Sequence, residues 1–437
     1  MSTLLQDLRF GLRMLAKNPG FTAVAVITLA LGIGANTAIF SLINTLMLRL
    51  LPVQEPGQLV ELLHKYPGEP RMNGFSAQSY EQFRDHNHVF SGLIGFAPTH
   101  FSVRREGADP ESVNGEYVVG NYFLVLGIKP TLGRLIGPQD DQPGSASSAV
   151  AVVSWNYWKS RFNLERTVLG KQITVADVPV TVIGVTPPEF RGLAMSSKPD
   201  VWLPTALRPP SVARPGQPPF NMPLNLVGRL IPGTSIRQAR ADMNVLFQFT
   251  IDEVTRKSKD PQWRQLKLEI VPAGAGLAFL RDHLSQPLYV LMSLVGLLLL
   301  IACTSIATLL LARGAEREHE MALRVAIGAG RLRLLRQVLT ESLLLSTAGS
   351  LLGFMIAYFA AHVLVRIMLS GRPLPGLPPD FTFDVQPDAH VLLFTAGVAL
   401  ITGVLFGVVP AVRALSTTPA SLLQGAVQIV SPSLSKK

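Results

Sequence analysis

The chain has 437 residues, 48% hydrophobic and 16% charged, and its mean hydropathy of +0.32 fits a soluble domain joined to membrane spans. A net charge of +10 would suit a nucleic-acid binder. The basic residues, however, either sit beside apolar stretches, where topology and anionic lipid account for them, or are scattered among acids, so no nucleic-acid partner is expected. The single cysteine, Cys303, falls inside an apolar stretch, which excludes a disulfide-stapled soluble domain.

In chain order, residues 1–20 predict an amphipathic helix on the cytoplasmic membrane surface. Leu4, Leu8, Leu12 and Leu15 share one face, Arg9, Arg13 and Lys17 recur on another, and Asn18-Pro19-Gly20 ends it. Its plainest role is a topology anchor. Four apolar stretches then follow at 21–51, 287–312, 339–369 and 389–415, none with Asp, Glu or Lys in its middle. Each exceeds the roughly 20 residues a membrane helix needs. The first, at about 31 residues, is too long for the 7–15-residue core of a signal peptide and predicts a retained span whose outer turns lead into an external domain. Gly32, Gly34, Asn36 and Ser41 in that span are the small, weakly polar residues that mark helix packing.

Side is read from Lys and Arg near span ends, which stay in the cytoplasm. Arg9, Arg13 and Lys17 precede the first span; Arg313, Arg317, Arg324, Arg331, Arg333 and Arg336 lie between the second and third; Lys436 and Lys437 end the chain. The loop at 370–388 has Arg372 against Asp380, Asp384 and Asp388. Both termini, the tail 416–437 and the loop 313–338 are therefore expected inside, and 52–286 outside. The expected fold class is a membrane α-helical protein, with four transmembrane helices in a 1+3 arrangement and a large α+β periplasmic domain between the first and second.

That domain, of about 235 residues, is large enough to fold on apolar burial. Candidate strands are 149–153, 172–175, 180–185, 224–229 and 266–271; candidate helices are 77–86, 155–162 and 235–253. Breaks rich in Gly and Pro suggest two subdomains with a boundary at about 187–223. In the inner loop, Glu316–Ile327 reads as a short helix broken by Gly328-Ala329-Gly330. A helix beneath the membrane hinged at glycines suits the passing of force between a cytoplasmic partner and the spans; a solvated connector is the plainer alternative.

Motifs for intrinsic chemistry are missing. Gly170-Lys171 has Glu165 where a phosphate loop needs glycine, His319-Glu320 lacks its second histidine at Leu323, and Gly274-Ala275-Gly276 lacks the third glycine of a dinucleotide loop. His86 and His88 are read as surface histidines. No catalytic residue, cofactor or metal site is expected on this chain.

With that layout, the chain resembles the MacB/FtsX-type ABC permeases over essentially its whole length. Glu318, Glu320, Ala322, Arg324, Gly328, Ala329, Gln337, Thr340 and Glu341 match that family's cytoplasmic loop and third-span entry. Val119-Gly120-Asn121-Tyr122-Phe123, Leu126-Gly127, Gly133-Arg134, Val182–Val185, Gly228-Arg229-Leu230 and Pro232-Gly233 are similar to its periplasmic core domain. The opening, Asp7–Arg13 through Asn18-Pro19-Gly20-Phe21 to Gly32–Asn36, resembles the acidobacterial-type orphan permeases.

The resemblance implies an inner-membrane permease subunit that receives motion from a separate cytoplasmic ABC ATPase, which would hold the ATP and Mg. Glu316, Glu318, Glu320, Arg324, Gly328, Ala329 and Gly330 would couple to that ATPase, and Gly32, Gly34, Asn36 and Ser41 would pack a dimer or a second permease half. Motion would pass into the outer domain, for export of a drug, peptide or lipoprotein with a possible periplasmic partner; the rival implication is a signalling subunit that activates a periplasmic cell-wall hydrolase. Two departures are expected: no fused ATPase, and one permease copy where the orphan subgroup carries two.

Overall fold

The computed structural model describes residues 2–193, 198–208, 223–258, 261–316, 331–370 and 389–416. Helix α1 (Ser2–Lys17) stops at Asn18, and α2 (Pro19–Ile43) begins on Pro19; a first helical position has no use for the N–H that proline lacks. The apolar run does not continue as one α-helix to residue 51. It widens into a π-helical turn at Asn44–Leu48, where the Thr45 hydroxyl donates back to Ser41 O (2.8 Å), and leaves as irregular chain.

The outer chain runs β1 (Leu59–Lys65), α3 (Ala77–His86), β2 (Phe90–Arg104), β3 (Glu111–Val118), α4 (Tyr122–Leu126), β4 (Leu132–Gly133), β5 (Val150–Val153), α5 (Trp155–Phe162), β6 (Gln172–Val175), β7 (Val178–Val185), β8 (Val201–Pro204), β9 (Asn225–Leu230), α6 (Ile236–Ser258) and β10 (Lys267–Pro272). Three long helices follow: α7 (Ala278–Glu316), α8 (Arg331–Ser370) and α9 (Ala389–Ser416).

All ten strands join one sheet in the order β10-β1-β9-β2-β3-β8-β5-β7-β4, with β6 paired to β2 and β7. The parallel β3–β8 pair is the seam between a half-sheet from 59–118 and 225–272 and another from 132–204. The second half is an excursion entered after β3. Strand β8 lies within the expected boundary segment 187–223. Serine caps start α3 and α5, Ser76 accepting from Ser79 N (3.0 Å) and Ser154 from Tyr157 N (2.9 Å). Phe83 and Phe247 pack α3 against α6.

Compact division separates Leu46–Leu284 from a unit that contains α1, α2, α8, α9 and α7 from Ser285. In the second unit Pro19–Ile43, Ser285–Leu309 and Leu339–Phe359 are long and apolar enough to cross a membrane, and Ala389–Leu405 is a shorter apolar stretch. Helix α2 packs along α8, α8 along α9, and α1 against α8.

Candidate functional site: a helix seam and a strand linkage

Of the residues expected to couple to an ATPase, Glu318, Glu320, Arg324, Gly328, Ala329 and Gly330 lie outside the described residues, and Glu316 is the last residue of α7. The structure instead details two other places, one in each compact unit.

The first is the seam around α2. Gly34 faces Gly353 of α8 so closely that a Cβ on Gly34 would stand 2.7 Å from Gly353 O, and one on Gly353 would stand 2.8 Å from Ala30 O. A Cβ on Gly349 would meet Leu29 Cβ at 2.7 Å, and one on Gly32 would meet Leu299 of α7. Close backbone approach of this kind replaces apolar burial as the cement between membrane helices.

Polar side chains complete the seam. Asn36 Nδ2 donates to Gly32 O (2.9 Å) and across to Val295 O of α7 (3.2 Å). The Thr37 and Thr395 hydroxyls meet at 3.1 Å, Ser346 donates to Ala399 O, and Phe40 stacks on Phe394 with centroids 3.9 Å apart. Ser41 turns back on Thr37 O (2.9 Å). Gly32, Gly34 and Asn36 thus make contacts between helices of one chain. Gly349 and Gly353 were not singled out in the sequence, although their Gly-x-x-x-Gly spacing is a readable signal.

The second place is where the outer sheet begins and ends. Strand β1 follows the first span in sequence, β10 precedes the second, and they are antiparallel neighbours from Val60↔Pro272 to Lys65↔Lys267. Beyond the strand ends, Leu51 N donates to Gly274 O (2.8 Å) and Ala273 N to Leu59 O (2.8 Å). Glu61, fully buried on β1, accepts from Ala278 N, the first residue of α7, at 2.6 Å. A carboxylate there meets both an orphan N–H and the positive end of the helix dipole. Glu269 of β10 bonds Lys65 (2.7 Å) and Arg71 (2.5 Å). Burial works to raise its carboxyl, but those two bonds outweigh it and hold the group below the ordinary range.

Arg229 on β9 tightens the linkage. Its guanidinium donates to Val125 O (2.8 Å), Glu55 O (3.2 Å) and Gln54 O (2.6 Å), and so fixes the chain between the first span and β1 to the end of α4. Glu55 is held there at φ 42°, a left-handed backbone that only glycine adopts freely. Val125, Gln54 and Glu55 are bound through backbone carbonyls, so the clamp does not depend on which side chains those neighbours carry.

The other motif residues make bonds within and between the two half-sheets. Asp141 accepts from Gly120 N (2.9 Å), Thr205 Oγ1 (2.8 Å) and Ala206 N (2.8 Å). Asn121 donates to Leu93 O (3.0 Å). Arg134 makes a two-pronged pair with buried Asp140 (2.5 and 2.8 Å), which also accepts from Gly137 N. Gly133, at φ 70°, and Gly184 sit where a Cβ would strike the opposite backbone. Among the described residues no group of His, Cys, Asp or Glu is placed to hold a metal ion, and His86 rests its Nδ1 on Gln82 O (3.0 Å).

Residues 22–246 match the family described as MacB-like periplasmic core domain, and residues 292–419 the family described as FtsX-like permease C-terminal. The macrolide export ATP-binding/permease protein MacB of Salmonella paratyphi A is 25% identical over 71% of this chain and 43% of its own length. MacB 2 of Aeromonas hydrophila is 24% identical over 96% of this chain and 59% of its own. The chain therefore spans about half the length of these curated relatives. The periplasmic region of MacB from Actinobacillus actinomycetemcomitans, a solved structure, aligns over 53% of this chain and 92% of its own, at 13% identity and a TM-score of 0.35.

Proposed function

This chain belongs to the permeases built from a MacB-like periplasmic core domain and an FtsX-like C-terminal region, and from that premise we propose that it converts the strokes of a separate cytoplasmic ABC ATPase into movement of its periplasmic domain. In this reading four spans in a 1+3 arrangement hold both termini and 313–338 in the cytoplasm. Glu316, Glu318, Glu320, Arg324 and the Gly328–Gly330 hinge contact the ATPase, which binds the ATP and Mg.

The strand linkage carries the proposal. The two strands next in sequence to the first and second spans are neighbours in one sheet, pinned by Leu51–Gly274, Glu61–Ala278 and the Arg229 clamp. Movement of either chain exit acts on the sheet through these bonds. The work is export of a client from the periplasmic side, and the relatives' printed function makes a macrolide-like compound the first client to try. Pairing with a second permease copy belongs to the same reading.

The test is co-purification with a candidate ABC ATPase expressed alongside. Arg324→Glu, or removal of residues 316–330, abolishes ATPase association while the chain still inserts in the membrane. Unchanged co-purification of both variants would overturn the coupling role.

A further inference from the structure

Glu116, on β3, is 0% exposed and stands at the seam between the half-sheets, where its register partner on β8 is Trp202 and its partner on β2 is Pro98. Its Oε2 accepts from Trp202 Nε1 (2.9 Å) and from Tyr122 Oη on α4 (3.0 Å), while Oε1 has no hydrogen-bond partner. The two donors are packed in aromatic rings: Phe123 lies 5.1 Å from Tyr122 and 5.9 Å from Trp202, and Phe190 lies 5.9 Å from Trp202, centroid to centroid.

An ionised carboxylate with one bare oxygen in such surroundings is costly, and a neutral carboxyl far less so. Of the elements packed on Glu116, β2 offers Pro98, β8 the indole of Trp202 and α4 the phenol of Tyr122. Tyr122 is the titratable group among them, and no charged side chain among the described residues bears on the carboxyl. Burial pushes the carboxyl up to about 7, against the pull of the Tyr122 and Trp202 bonds. Leucine or glutamine would fill the site without this penalty. The permease reading makes no use of an acid there.

We propose that Glu116 is a proton-binding site, and that the proton it takes up removes the cost of a buried charge at the β3–β8 seam and so stabilises the folded domain, which thereby senses the acidity of its compartment. The inference goes beyond the permease reading and does not depend on it. The folded domain keeps this proton up to about pH 7, whereas the unfolded carboxyl releases it near 4.5. Between those values unfolding releases a proton, so the group's contribution to stability is full below about 4.5, falls as pH rises and is lost by about 7. Below the upper limit the seam buries a neutral acid; above it the folded domain carries the cost of a buried charge.

The intact chain in detergent tests this in two ways. Infrared spectroscopy of wild type shows one carboxyl titrating with a midpoint near 7, displaced upward from the usual 4.5; a Glu116 carboxyl fully ionised by about pH 5.5 overturns the proposal. Thermal unfolding followed by near-ultraviolet circular dichroism then compares wild type with Glu116→Gln. Wild-type Tm falls relative to the variant as pH rises from about 5 to about 7, and a constant difference overturns the proposal. If the glutamine variant does not fold, the infrared titration of Trp202→Phe stands in for the thermal comparison. Loss of a donor to the charged form moves the infrared midpoint above the wild-type value, and an unmoved midpoint counts against the site.

Discussion

The outer unit and the membrane unit of this chain are built inside out with respect to each other. In the outer unit Trp202, Phe96, Phe123 and Leu62 are less than 2% exposed. In the membrane unit the buried positions include Asn36, Thr37, Ser41, Ser346, Ser350 and Thr395, while Leu31, Leu298, Leu351, Met355 and Leu393 are all more than half exposed. Water drives large apolar side chains together, whereas lipid gives them no reason to leave its company. What remains to hold membrane helices is close approach of backbones and hydrogen bonds between helices. The same methyl group is thus an asset in one unit and an obstruction in the other.

The largest expected effect is on the water-facing side of that contrast. Trp202→Ala should cost about 3–5 kcal/mol of outer-domain stability, whereas Leu298→Ala, at a residue 54% exposed, should change thermal stability in detergent by less than about 0.5 kcal/mol. Equal losses would erase the contrast. Next comes addition rather than removal: Gly34→Val forces a Cβ toward Gly353 O at 2.7 Å and should cost about 1–3 kcal/mol, seen as earlier thermal aggregation of the solubilised chain. Wild-type behaviour would mean that α2 and α8 do not meet through these glycines. The smallest effect sharpens the picture. Arg229→Ala loses three bonds to carbonyls on a partly exposed side chain, which should cost about 1–2 kcal/mol and raise hydrogen exchange at residues 53–55 and 126–128. Arg229→Lys should recover little, because one ammonium nitrogen cannot stand where Nε, Nη1 and Nη2 each reach a different carbonyl.

Much of this architecture was legible in the residues. The helices Ala77–His86 and Trp155–Phe162 and the strand Gln172–Val175 lie at the bounds their periodicity predicts, and other candidate elements are displaced by a few residues. β1, β2 and β3 were not legible, for physical reasons. β2 is interrupted by Gly92, Gly95 and Pro98, while β1 and β3 hide Glu61 and Glu116 in otherwise strand-like runs. Those acids break the pattern because they serve a helix end and a seam supplied by residues far off in sequence.

Arg229 was visible within a motif, but its role was not. It binds backbone carbonyls 104, 174 and 175 residues away, and carbonyls leave no trace in the identity of the residues that carry them. The glycines of α8 were readable from spacing and overlooked among so many apolar neighbours. The loop Arg317–Gly330, the most distinctive local sequence, lies outside the described residues.

A permease driven from the cytoplasm must hold its large domain and its inner loop on opposite faces of the membrane. Single cysteines at Ser147, which is exposed, and at Gly330, each in a Cys303→Ser background, can be challenged with a membrane-impermeant maleimide in cells whose inner membrane is intact. Ser147→Cys should react at once, and Gly330→Cys only after the inner membrane is opened. Labelling of both in intact cells, or the reverse order, would contradict a permease driven from the cytoplasm to move a domain outside.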